Sequence, residues 1–186
     1  MSDTQIRLRS GKLFDLAAPL PSDVVIHDIA FSLAMQPRFV GHTRFHYSVA
    51  QHSTRVAKLC PASCALEGLL HDAAEAYIGD ITRPLKILLG ERLKEIETNI
   101  ERAIALRYGL MYPWPAAVKE ADNAMLRIEQ YTFWPGTTDS QTGEVRTPEA
   151  IAGEDRISRI VPEEASEIFL GRFRSLCGQR GIEGYC

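Results

Sequence analysis

Four residues from three separate stretches of the chain, His52, His71, Asp72 and Asp122, are of the types that hold a divalent cation. The stretch GLLHDAAEAYIGDITRPLK, residues 68–86, carries two of them, with Glu75 one turn on and Asp80 beyond a glycine. Charge placed among Leu69, Leu70, Ala73 and Ala74 costs free energy unless a metal, a substrate or an ion-pair network receives it.

Helical periodicity brings these residues inward. At about 100° per residue, Val49, His52, Val56 and Leu59 form one stripe, so His52 lies within an apolar face. In the next segment Leu66, Leu69, Leu70, Ala73 and Tyr77 share one side, and Ala65, Gly68, His71, Asp72 and Glu75 the other. An apolar face opposite a face of small residues predicts packing on both, which shelters the acidic group. After Pro115, the residues Val118, Ala121, Asp122, Met125 and Glu129 share a stripe, and Asp122 also points inward. A single inward histidine more often completes a core hydrogen bond. Two imidazoles and two carboxylates from three helices instead suit a divalent cation, with positions left for water or a phosphate oxygen.

The elements that must position them read as helices. Ser22 or Asp23 is a candidate N-cap for PSDVVIHDIAFSLAMQ. A loop over 37–47 precedes YSVAQHSTRVAKLC, which Pro61 ends, and a third helix runs from about Ser63 to Tyr77. Pro84 opens a short helix, 91–110 is a long amphipathic one, and another follows Pro115. Residues 133–150 read as loop, either covering the site or plain surface, and a last helix spans about 162–176 before a frayed tail. Nothing repeats. The expectation is a single all-α domain over 1–186, a compact helical bundle with a short N-terminal strand or arm around Ile6 and Leu8.

Composition narrows the classes of partner. A length of 186 residues suits one domain, and a net charge of −3 gives no footprint for duplex nucleic acid. No run of eighteen apolar residues and no signal-like start occurs, so no membrane and a cytoplasmic location are expected. Cys60, Cys64, Cys177 and Cys186 form neither a zinc-ribbon pattern nor a disulfide framework and read as buried or incidental thiols.

The ordered set QHSTRVA (51–57), HDAAEAYIGDITRPLK (71–86) and EADNAML (120–126) resembles the HD-domain metal-dependent phosphohydrolases, in particular their small single-domain, 5′-deoxynucleotidase-like branch. The likeness covers about residues 22–130. It implies that His52, His71, Asp72 and Asp122 bind one divalent metal ion, among Mn, Co, Mg, Zn or Fe. It also implies that Glu75 is the general acid/base and that Asp80 lies near the sugar and metal. Arg38 and Phe39 then match a loop pair that meets substrate, with Phe39 where the nucleotidases carry Trp, and Lys86 matches a phosphate or structural lysine. A homodimer is implied as well, with the exposed face of the 91–110 helix as a candidate surface.

Each role has a plainer rival. Glu75 would otherwise hydrogen-bond a ligand histidine, Asp80 would cap the turn before Pro84, and Arg38 and Lys86 would be solvated surface charges. No histidine follows His71, which favours one metal over two. The expected activity is hydrolysis of (deoxy)nucleoside 5′-monophosphates. The alternatives are a deoxynucleoside triphosphate triphosphohydrolase using the same site, or a non-catalytic nucleotide-binding HD protein.

Overall fold

The computed structural model describes residues 3–136 and 157–182. Its helices are α1 (Ile26–Met35), α2 (Val49–Leu59), α3 (Ala65–Leu70), α4 (Glu75–Ile78), α5 (Arg83–Leu89), α6 (Glu91–Tyr108), α7 (Ala116–Phe133) and α8 (Pro162–Gln179). The all-α expectation holds. The N-terminal arm is an antiparallel hairpin of β1 (Gln5–Arg7) and β2 (Leu13–Asp15), with Ile6 opposite Phe14. Phe14 is fully buried and stacks on Tyr77 with ring centroids 3.8 Å apart, which fastens the hairpin to α4.

α2 is the central helix, packed against α3, α7 and α8, while α1 lies against α8 and α4. Its start is set by a capping box: Ser48 accepts from the Gln51 backbone N–H, and the Gln51 side chain accepts from the Ser48 N–H. Leu66, Leu69 and Leu70 of α3, Ile100 and Ile104 of α6, and Phe169 and Phe173 of α8 fill the core. Gly68 permits the close approach of α2 and α3. A Cβ there would meet Cys60 Sγ at 2.5 Å and Ala57 Cα at 3.4 Å.

Four details depart from the periodicity. α1 begins at Ile26, with Val25 as an N-cap that makes no side-chain bond, because Pro21–Asp23 forms a separate 3₁₀ turn. The expected loop before α2 contains a 3₁₀ turn at Arg38–Gly41, where Phe39 and Val40 both have φ of +55°. Left-handed backbone at two non-glycine residues, one β-branched, stores strain of about 1–3 kcal/mol each. The third helix is interrupted: over His71–Ala74 the backbone stays right-handed but closes i−3 bonds, Ala73 N to Leu70 O and Glu75 N to Asp72 O. α8 runs on to Gln179, carrying Cys177 into the core where a frayed tail was expected.

Cys60, Cys64 and Cys177 are buried cysteines outside any disulfide, and Cys186 lies outside the described residues, as does most of the 133–150 loop. No helix among the described residues is long and apolar enough to cross a membrane. The outer face of α6 is largely charged, with Leu106 exposed.

Candidate metal centre and pocket

α2, the tight turn after α3, and α7 bring the four expected ligands together. His52 Nε2 stands 3.2 Å from Asp122 Oδ1 and 3.5 Å from Asp72 Oδ2. His71 Nε2 stands 3.2 Å from Asp72 Oδ1 and 3.9 Å from Asp122 Oδ1, and the two imidazole rings are 5.4 Å apart. His52 is fully buried and His71 nearly so, and the carboxylates are partly open to solvent. The group His52, His71 and Asp72 could hold a metal ion.

The far sides of both rings are already engaged. His52 Nδ1 lies 2.6 Å from Glu129 Oε1, and His71 Nδ1 lies 2.9 Å from the Gly68 carbonyl oxygen. Each acceptor requires an N–H at Nδ1, so a neutral ring here carries its lone pair at Nε2, and a charged ring carries a second N–H there. Among the described residues, neither Nε2 completes a hydrogen bond, although carboxylate oxygens crowd both. Lone pairs facing lone pairs at this range repel unless a cation lies among them. A proton is the minimal one: burial would depress His71, but Asp72 and Asp122 push it up to about 10. A divalent ion held by His52, His71 and Asp72 answers the same arrangement, and an imidazole tied through its other nitrogen is the usual form of a metal-binding histidine.

The carboxylates fit that reading. Burial would raise Asp72, yet His71, and then His52 and Arg38, hold it far below the usual range. Asp122 is likewise depressed, against burial, by His52 and His71. Its Oδ2 also accepts from Lys119 Nζ at 2.8 Å.

No protein-family model matches the chain. Over 137 residues it is 42% identical to YfdR of Escherichia coli K12, an alignment covering 70% of this chain and 76% of that protein. This chain belongs to the YfdR family. A Rhodobacter capsulatus protein is similar as well, 38% identical over 136 residues that cover 66% of this chain and 69% of the relative. Both relatives are named as uncharacterized proteins, so neither name carries an activity.

Beside the four expected ligands, this YfdR-family chain has a cavity of about 520 Å³ bounded by Arg38, Phe39, Asp72, Glu75, Asp80, Lys86 and Asp122 among others. All nine expected site residues are therefore accounted for: seven line this pocket, and the two histidines sit against its Asp72 and Asp122. Glu75 is buried, and its Oε2 has no partner among the described residues. Burial, reinforced by Asp72 and Asp80, pushes its carboxyl well above the ordinary value. Asp80 is raised too, chiefly by burial. Its backbone N–H donates to Gln36 Oε1 at 3.0 Å, and Gly79, at φ +87°, makes the turn that delivers it. Lys86 reaches Glu97 at 2.6 Å and Glu75 at 3.7 Å, and these partners outweigh burial to keep its pKa high. Arg38 is buried, pairing through Nη2 with Glu129 Oε2 at 2.9 Å and lying 3.6 Å from Asp72 through Nη1. Phe39 packs edge-on against Trp134 with centroids 5.0 Å apart.

Three residues escaped the sequence reading. Glu129 shared the inward stripe of Asp122 but carried no assigned role. Gln36 donates to the Glu75 carbonyl at 3.0 Å and so holds both ends of α4, a role no local pattern announces. Arg83 lies exposed on the pocket wall, and its position beside Pro84 was the available signal.

Proposed function

We propose that this chain is an HD-domain phosphohydrolase that uses one divalent ion to hydrolyse (deoxy)nucleoside 5′-monophosphates to nucleoside and phosphate. The observation that carries the reading is the pair of imidazoles whose Nδ1 atoms are engaged and whose unpartnered Nε2 atoms face Asp72 and Asp122. His52, His71, Asp72 and Asp122 would hold the ion, with Mn, Co, Mg, Zn and Fe all compatible with an N/O set. Such an ion supplies polarisation of a phosphoryl oxygen and brings the pKa of a water toward neutrality.

The chain's own groups carry the rest of the reaction. Glu75, with its raised pKa and unpartnered Oε2, accepts the proton of the attacking water and passes it to the leaving oxygen. Arg38, fixed at Nη2 by Glu129 and lying 3.6 Å from Asp72 through Nη1, brings positive charge to the pocket for a phosphate oxygen. Lys86 contributes positive charge across the pocket, restrained by Glu97. Phe39, Ile81 and Leu126 offer apolar wall to a nucleoside, and a cavity of about 520 Å³ is on the scale of a small-molecule site.

The test is ion-exchange analysis of products after incubation with Mn or Co and a panel of ribo- and deoxynucleoside mono- and triphosphates. Free phosphate from monophosphates is the expected result. Intact triphosphate released from deoxynucleoside triphosphates would move the assignment to a triphosphohydrolase at the same site. Bound metal without turnover of any member would leave a nucleotide-binding protein.

A further inference from the structure

We infer that Glu129 is the positioning residue of this centre, a single buried carboxylate that holds the metal-facing histidine with one oxygen and the phosphate-facing arginine with the other. The inference rests on the metal reading above and adds the residue that organises it.

Glu129 is fully buried on α7, seven positions beyond Asp122 on the same stripe. Its Oε1 accepts from His52 Nδ1 at 2.6 Å and from the Tyr47 hydroxyl at 2.8 Å. Its Oε2 accepts from Arg38 Nη2 at 2.9 Å. Three separate stretches of chain, the Arg38 turn, the entry to α2 and α2 itself, therefore converge on one side chain. With Nδ1 committed to Glu129, the His52 ring can neither rotate nor change tautomer without stranding the carboxylate, so its lone pair stays aimed at Asp72 and Asp122. The same carboxylate holds Arg38 at the Asp72 edge of the pocket.

If Glu129 served only to neutralise Arg38, Oε2 would be sufficient and His52 would be free to bond elsewhere. The shared Oε1 argues against that, and the two roles separate in a metal-binding measurement. Apoprotein would be titrated with cobalt(II), following visible absorption and affinity, with circular dichroism as the folding control. Glu129→Gln is expected to weaken cobalt binding about 10–100-fold, the usual cost of losing a partner behind a ligand, and to alter the absorption band while the fold is retained. The carboxamide can still accept from His52 only by turning its NH₂ on Arg38, so a second variant is needed. Arg38→Met/Glu129→Leu removes both buried charges together and is expected to show the same weakening relative to Arg38→Met alone.

A folded double variant that binds cobalt as tightly as Arg38→Met overturns the inference and leaves the metal site intact. Wild-type protein that binds no cobalt overturns the inference and the metal reading together.

Discussion

Two fully buried glutamates meet arginines in this molecule, and they differ in what surrounds them. Glu67 on α3 is closed: Arg180 donates to both its oxygens, the Met111 N–H donates at 3.1 Å, and Arg180 continues to the Ser63 carbonyl at 2.8 Å. Burial would raise Glu67, but Arg180 holds it below the usual range. Glu129 is equally satisfied, yet its neighbourhood is open: His52 Nε2, His71 Nε2, Arg38 Nε and Glu75 Oε2 lie buried without partners among the described residues. A closed cluster completes the fold. An open one leaves buried polar atoms that the chain itself does not match, a cost that a bound ion or substrate would offset.

The sharpest way to break that contrast is Asp72→Ala, expected to remove metal and turnover together by well over about 100-fold, more than the loss of an outer partner causes. Metal content and phosphate release on the same sample check it. Glu75→Gln is next: it should retain metal and lose about 10²–10⁴-fold in kcat, so undiminished turnover would end its role as proton carrier. On the closed side, Glu67→Gln leaves Arg180 without its partner. Because Arg180 is partly exposed and still reaches Ser63, the change should cost about 1.5 kcal/mol of stability in a denaturant titration, with cobalt affinity unchanged. A joint loss of affinity would show that the two clusters are not separate.

The smallest effect is a pH dependence of the metal-free protein. His71 has a folded-state pKa raised to about 10, above the roughly 6.5 of an unfolded histidine. Its contribution to stability is therefore complete below about pH 6.5 and is lost as pH rises through about 10. Glu75, also raised, adds a loss that begins lower, above the usual carboxylate range. The Tm of metal-free protein should fall across this window, and His71→Asn should remove the histidine's share. Saturating metal, which replaces the proton, should flatten the curve.

What could be read beforehand follows the range of the interactions. The stripes holding His52 and Asp122 are local, period-3.6 patterns, and they carried the fold class and the convergence of ligands. The break at His71–Ala74 was not legible, because a 3₁₀ tightening inside a helix leaves the apolar spacing nearly unchanged. Gln36 and Glu129 act across sequence separations of 39 and 91 residues. Their partners become visible only when the helices are packed. The capping box at Ser48 and Gln51 was present in SVAQ and needed no tertiary information.

Gly68 gives the centre its dimensions. It lets α2 and α3 touch at Cys60 and Ala57, and its carbonyl oxygen accepts from the His71 ring. The spacing of the two imidazoles is thus gauged by a residue that has no side chain of its own to offer an ion. A single methyl at this position would displace the Cys60 thiol or the helix that carries it, and with His71 tied to the Gly68 carbonyl it would reset the spacing of the two imidazoles with neither ring altered.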